Sequence, residues 1–289
     1  MYMEEDEKHR VTYKNLEILK EELNACMIRR TLSEVRTDMP QKLVCYETVE
    51  MSDEHRKFYE AILDGVKEEA DKIDLKANNL LALTTRLRQA TSCPEVLTSK
   101  GIVSSKVQRC ADIVRDLLTS GEKVVVFCSF KSTVYQLAEL LKDLPVTVNT
   151  GDQEDSLVQR NVVKFQEDPN PCVFIGTHSK CGTGLTLNAA MYCLMIDTPY
   201  TYAAFSQSAD RIWRVTNTRP ARIKVLNCSD TIDERVSEII EAKKELSDFI
   251  IGYGENGEVL FDEQALNDYN SAMDTTEILK KILRESLRC

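Results

Sequence analysis

Residues 123–176 read KVVVFCSFKSTVYQLAELLKDLPVTVNTGDQEDSLVQRNVVKFQEDPNPCVFIG. Three short β-rich apolar runs stand in this stretch, Lys123 to Cys128, Val146 to Asn149 and Cys172 to Gly176. Between them lie two segments, Ser132 to Leu141 and Ser156 to Phe165, whose apolar residues recur at spacings of three and four. Short apolar strands separated by single amphipathic helices are the pattern of a parallel sheet covered by helices. The alternation continues downstream through the strands Tyr192 to Ile196 and Ile223 to Asn227 and the helices Ala203 to Trp213 and Thr231 to Ile250. Upstream it begins with a helix from Ser105 to Leu118, capped by Ser104 or Ser105 and followed by Gly121 at the usual stop position. The expected fold is a doubly wound α/β domain over residues 100–251.

Both flanks differ in kind. Residues 1–99 show helical patterns at Lys14 to Arg30, Asp53 to Lys72 and Asn78 to Ala90, interrupted by Pro40 and a short possible strand at Leu43 to Val49. This predicts a helical extension packed on the α/β core. Residues 252–289 turn through Gly254 and Gly257 and end in an amphipathic stretch, Thr275 to Leu287, which predicts a helical tail.

The chain has 289 residues, 43% hydrophobic and 29% charged, enough to bury a substantial core. Its start, Met1-Tyr2-Met3-Glu4-Glu5-Asp6-Glu7, has neither the basic residues nor the apolar stretch of a signal peptide, and no window reaches membrane-spanning length. The expectation is a cytoplasmic protein, nuclear in a eukaryote, with no membrane partner. The ten cysteines include no C-x-x-C pair, which gives no basis for a metal or disulfide framework. A net charge of −10 opposes binding to a phosphate backbone, but the excess acid lies in the flanks. Residues 100–235 carry 16 basic and 15 acidic side chains.

Two constellations carry chemistry. Gln207, Arg211 and Arg214 stand at spacings of four and three, which on a continuous helix share one face. Two guanidiniums aimed together suit a phosphate whose negative charge spreads during transfer. Taken alone, that spacing is in most proteins a solvated face with Arg–Asp pairs. The second constellation is the Gly- and Thr-rich loop Gly176 to Leu187, directly after the strand ending Val173-Phe174-Ile175. Its glycines allow close backbone approach to an anion, and Thr177 and Lys180 add a hydroxyl and a cation. An ordinary strand-to-helix turn would use the same glycines to relieve backbone strain.

The order of these pieces is more specific than any one of them. Residues 123–244 resemble the second helicase lobe of the Swi/Snf-type superfamily 2 DNA-dependent ATPases, with motif IV at Val124 to Phe130, motif V at Gly176 to Leu187 and motif VI at Gln207 to Arg214. The upstream pieces Met27 to Thr31, Met39 to Lys42, Val49 to Ser52 with Tyr59, and Leu87-Arg88-Gln89 before Pro94 follow the order of the family's interlobe region. So do Thr231 to Glu234 and Lys243 downstream. The Gly-Leu-Thr-Leu loop and the Thr-x-Asp-Glu segment look closest to the annealing-helicase branch and to phage or bacterial relatives. Trp213 stands where the family usually has His, and Val215-Thr216-Asn217 where it commonly has Ile-Gly-Gln. Trp213 fits core packing as well as stacking on a base or adenine.

The resemblance implies a RecA-like lobe that completes an ATP site between two lobes. Arg214 and Arg211 would meet the γ-phosphate, Gln207 would orient the phosphate or the attacking water, and Gly182, Gly184 and Asp210 would border the nucleotide. Ser129, Lys131, Gly151, Thr177 and Lys180 would hold double-stranded or branched DNA by its phosphates, without base specificity. No Gly-x-x-x-x-Gly-Lys-[Ser/Thr] occurs in the 289 residues, so ATP and Mg²⁺ would be bound mainly by a first RecA-like lobe, supplied in cis or in trans. The chain alone is expected to be inactive. Asp53-Glu54-His55-Arg56 superficially copies a DEAH box but follows no buried strand, and reads as the acidic first turn of a helix. Two other readings stand beside this one: a lobe of another superfamily 2 helicase acting on RNA or forked DNA, and a non-catalytic module that binds DNA or a protein.

Overall fold

A computed structural model describes residues 3–5, 11–13, 16–26, 38–72, 77–182 and 184–251. The expected tail helix at Thr275 to Leu287 and the Met27 to Thr31 segment lie outside the described residues. In chain order the elements are β1 (Met3–Glu5), β2 (Val11–Tyr13), α1 (Leu16–Cys26), β3 (Lys42–Val49), α2 (Asp53–Lys72), α3 (Ala77–Ser92), α4 (Ser105–Thr119), β4 (Val124–Cys128), α5 (Lys131–Leu140), β5 (Val146–Asn149), α6 (Asp155–Glu167), β6 (Val173–Thr177), α7 (His178–Cys181), β7 (Tyr192–Met195), α8 (Tyr202–Ala209), β8 (Ala221–Cys228) and α9 (Ile232–Ile251). A 3₁₀ turn spans Pro94–Val96.

Six strands form one parallel sheet in the order β3-β8-β7-β4-β6-β5, and β1 and β2 form a separate antiparallel pair. Side chains alternate across a strand, so β4 serves two cores. Val125 and Phe127 meet Val158 and Phe165 of α6 and Phe205 of α8 on one face. Val124, Val126 and Cys128 meet Val107 and Val114 of α4 and Leu137 of α5 on the other. All five strands expected after residue 100 are present, and helices cover both faces. Ser104 caps α4 by accepting from the Val107 amide (3.4 Å), and Gly121 beyond its end takes φ +82°.

The segment before residue 100 contributes more than helices. β3 pairs with β8 along all eight of its residues, so this extension supplies an edge strand of the main sheet. α2 and α3 pack with α9 through Tyr59, Leu63, Leu83 and Leu87 against Ile232 and Val236. Asp53 and Glu54 form the first turn of α2, as expected. His55 is fully buried there, bonding Ser105 Oγ (3.0 Å) and the Ala90 carbonyl (2.8 Å).

The helix expected from Ala203 to Trp213 ends at Ala209, and the reading of Gln207, Arg211 and Arg214 as one helix face is corrected accordingly. The backbone that would continue it is bonded elsewhere. The Arg211 carbonyl accepts from the Leu187 amide (2.9 Å), the Ile212 carbonyl accepts from Asn217 Nδ2 (2.8 Å), and Asn217 Oδ1 takes the Arg214 amide (2.9 Å). Helical spacing in the sequence here belongs to a helix end followed by a bonded turn.

Candidate functional site

The two arginines nonetheless come together. Arg211 Nη1 donates to the Leu185 carbonyl (3.0 Å), and Arg214 Nη2 donates to the same oxygen (3.3 Å). The turn after α8 is thereby stitched to the Gly-rich loop that follows α7. Burial and the neighbouring charge of Arg214 hold the Arg211 guanidinium below its ordinary pKa. Arg214 Nε is buried and has no hydrogen-bond partner, an arrangement that proteins rarely leave uncompensated. Gln207 is exposed in the last turn of α8, and its carbonyl accepts from Arg211 Nε (2.8 Å). Asp210 is ion-paired with Lys42 (2.8 Å).

The two glycines assigned to the nucleotide differ. Gly182 is buried, and a Cβ there would lie 2.3 Å from the His178 carbonyl oxygen and 3.0 Å from Ser208 Oγ. Its lack of a side chain lets α7 pack on α8. Gly184 is exposed at φ +73° with open space around it, so its requirement is conformational. His178 completes the α7–α8 contact. Its Nε2 donates to the Asp197 carbonyl (2.8 Å), leaving Nδ1 to accept from the Ser208 hydroxyl (2.9 Å) in the neutral ring. Burial pushes its pKa down to about 4, which keeps the ring neutral. Trp213 packs on the core and donates to the Pro40 carbonyl (2.9 Å), with Lys42 5.0 Å above its ring, so packing rather than an open stacking platform is its place.

The five residues assigned to nucleic acid gather where β4, β6 and β5 end side by side, since Cys128 pairs with Thr177 and Asn149 with Gly176. Lys131 opens α5 beside Gly151, whose Cβ position is 3.7 Å from Lys131 Cε. Lys131 is ion-paired with Asp152, and Lys180 with Asp155. Ser129 is half-buried: its amide donates to Asp197 Oδ2 (2.9 Å) and its hydroxyl accepts from Arg88 (3.1 Å). Thr177 is buried, and one turn later Ser179 is exposed and Lys180 half-buried.

Behind this edge lies a charged group that sequence reasoning missed. Lys106 is fully buried, 2.8 Å from Asp233 and 3.5 Å from Asp197. Asp197 also accepts from Ser92 and from the Ser129 amide. Buried Arg88 donates to the Thr198 carbonyl (2.5 Å) and lies over Tyr200 at 4.3 Å. Burial alone would raise the Asp197 pKa, but the charges of Lys106 and Arg88 outweigh it and hold the carboxyl below its usual range. The same burial opposes the charge on Lys106, which Asp233 and Asp197 overcome, raising its pKa. The group ties α3, α4 and α9 to the carboxyl ends of β4, β7 and β8. Asp197, a lone acid directly after the apolar run Tyr192 to Ile196, was its one visible signal.

Two family models match the chain in tandem: an SNF2-related domain over residues 4–96 and the helicase conserved C-terminal domain over residues 105–216. Together the two matches support a Swi/Snf-type superfamily 2 C-terminal lobe. The chain is 27% identical over 240 residues to an uncharacterized ATP-dependent helicase of Mycoplasma pneumoniae, covering 81% of the chain and 23% of that protein. It is 26% identical over 295 residues to a DNA repair and recombination protein RAD54-like of Drosophila willistoni, covering 89% of the chain and 38% of the relative. The chain thus spans well under half the length of these curated relatives. Among solved structures, the Sulfolobus solfataricus SWI2/SNF2 ATPase core in complex with double-stranded DNA matches at TM-score 0.64 and 20% identity, covering 93% of the chain and 55% of that one. The C-terminal part of the Fun30 ATPase domain matches at TM-score 0.60 and 17% identity, covering 74% and 99%. The parallel sheet flanked by helices has the RecA-like fold of these cores. No described helix is long and apolar enough to cross a membrane.

Proposed function

We propose that the chain is the C-terminal lobe of an ATP-dependent DNA translocase, closing an interlobe ATP site with Arg211 and Arg214 and holding DNA by its phosphates. One observation carries the reading: two guanidiniums converge on the Leu185 carbonyl while Arg214 Nε stays buried and unbonded. An unpaired buried donor costs about 1–3 kcal/mol, and an arriving phosphate oxygen would relieve it. The residues fit the terminal phosphate end of ATP. The 289 residues contain no Gly-x-x-x-x-Gly-Lys-[Ser/Thr] phosphate loop. Mg²⁺ and the β- and γ-phosphate cradle therefore fall to a first lobe.

Bound ATP supplies the phosphoryl bond whose hydrolysis drives opening and closing of the lobes. Arg211 and Arg214 meet negative charge developing on the phosphate, and Gln207, exposed beside them, orients phosphate or water. The paired arginines are seated through Leu185 on the loop after α7, and α7 carries Lys180 at the DNA edge. A shift at the arginines is thereby passed through a short, packed segment to a phosphate contact. ATP use and DNA as a partner are also supported by the names of the relatives and by the DNA-bound Sulfolobus neighbour.

The test is ATP turnover by the 289-residue chain with and without a separately supplied first lobe of the family, each with and without duplex DNA. The expected result is turnover at background for the chain alone and DNA-stimulated turnover for the pair. DNA-stimulated hydrolysis by the pure chain would overturn the two-lobe reading.

A further inference from the structure

The two surface lysines at the proposed DNA edge are already occupied, and both by one short stretch of chain. Asp152 lies in the turn after β5, and Asp155 is the first residue of α6. Their partners come from different elements: Lys131 opens α5, and Lys180 belongs to α7. One turn therefore reaches both sides of the strand ends. Asp155 has a side chain 92% exposed, whereas its partner Lys180 is only 20% exposed, so the lysine is the seated member and the carboxylate the removable one. Asp152 is held additionally by the Tyr135 hydroxyl at 3.3 Å. Each lysine holds its aspartate below the usual carboxylate range. Glu154, between the two, instead accepts from the Ser156 hydroxyl (3.3 Å) and so carries the same charge on the same turn without either ion pair.

Resting on the reading of this edge as a phosphate-binding surface, we propose that Asp152 and Asp155 are positioning residues that occupy Lys131 and Lys180 in place of DNA phosphates and so set the affinity of the lobe for DNA. A carboxylate offers the same acceptor geometry to an ammonium as a phosphate oxygen does. DNA must displace both aspartates, and the affinity of the edge is reduced by the strength of the two pairs. Exposed pairs of this kind are weak enough to be exchanged, which suits a lobe that must grip and release DNA in every cycle. Their strength corresponds to about 1.4- to 5-fold in affinity for each pair.

The experiment is a set of double-mutant cycles on the 289-residue chain, reading fluorescence anisotropy of a labelled duplex at low salt, with thermal midpoints to establish that every variant is folded. Asp152→Asn and Asp155→Asn should each tighten binding about 1.4- to 5-fold. The gain from Asp152→Asn should vanish in a Lys131→Ala background, and that from Asp155→Asn in a Lys180→Ala background, whereas a simple net-charge effect would survive. Glu154→Gln should gain less than either. An equal gain from Glu154→Gln, or gains that persist without the lysines, would overturn the proposal. So would a wild type that weakens on loss of Lys131 and Lys180 but gains nothing from the Asn variants, with the phosphate-edge reading left standing. If no variant binds the duplex at all, the phosphate-edge reading fails and the proposal falls with it.

Discussion

Gly182 and Gly184 are two residues apart in one loop, and the sequence offers no way to tell their roles apart. Gly182 lies at ordinary φ (−70°) but has no room for a Cβ, while Gly184 has room but a left-handed φ of +73°. Gly182→Ala must displace the His178 carbonyl of α7 and crowd Ser208, and is expected to cost about 1–3 kcal/mol in stability, read as a lowered thermal midpoint. Gly184→Ala should cost about 1–2 kcal/mol from backbone strain alone and leave the α7–α8 contact intact. Equal and negligible effects at both positions would contradict the packing assigned to Gly182. Arg211 and Arg214 teach a related lesson. Their spacing would bring them together only on a continuous helix, but what joins them is the Leu185 carbonyl in another motif, a partner that local periodicity does not contain.

The five strands after residue 100 were legible as short β-rich runs between amphipathic helices, and β4 and β6 are buried on both faces. β3 was legible only as a possibility. Its eight residues alternate weakly, most are exposed, and its partner β8 lies about 180 residues downstream, so membership in the sheet is a fact of tertiary pairing. The end of α8 was misjudged because the side chains keep helical spacing through Trp213 while the backbone bonds to Leu187 and Asn217. The buried group joining α3, α4 and α9 was hidden because Lys106, Asp197 and Asp233 are far apart in sequence. Lys106→Met leaves buried Asp233 without its cation and Asp197 with Arg88 alone, and should cost about 3–5 kcal/mol, measured by denaturant unfolding. A loss under about 1 kcal/mol would mean that the carboxylates are hydrated or protonated.

The proposed phosphate-binding edge, with Lys131 and Lys180, lies on a molecule of net charge −10. DNA binding by the chain should be weak, indifferent to base sequence and lost as salt rises, with a slope in log[salt] of about −0.9 per phosphate contacted. Sequence-selective binding that survives high salt would contradict phosphate contact as its basis. The proposed composite ATP site is tested most directly at Arg214. With the first lobe supplied and duplex DNA present, ATP turnover and thermal midpoint are to be compared for the wild type, Arg214→Lys and Arg214→Ala. Loss of an arginine that stabilises the transferring phosphoryl group should lower turnover by roughly three to five decades, with poor rescue by lysine, which lacks the planar fork. The thermal midpoint should stay near that of the wild type, since Arg214 makes one 3.3 Å side-chain bond and leaves Nε unbonded. Near-normal turnover in Arg214→Ala, or a collapsed midpoint that accounts for the loss, would contradict the assignment.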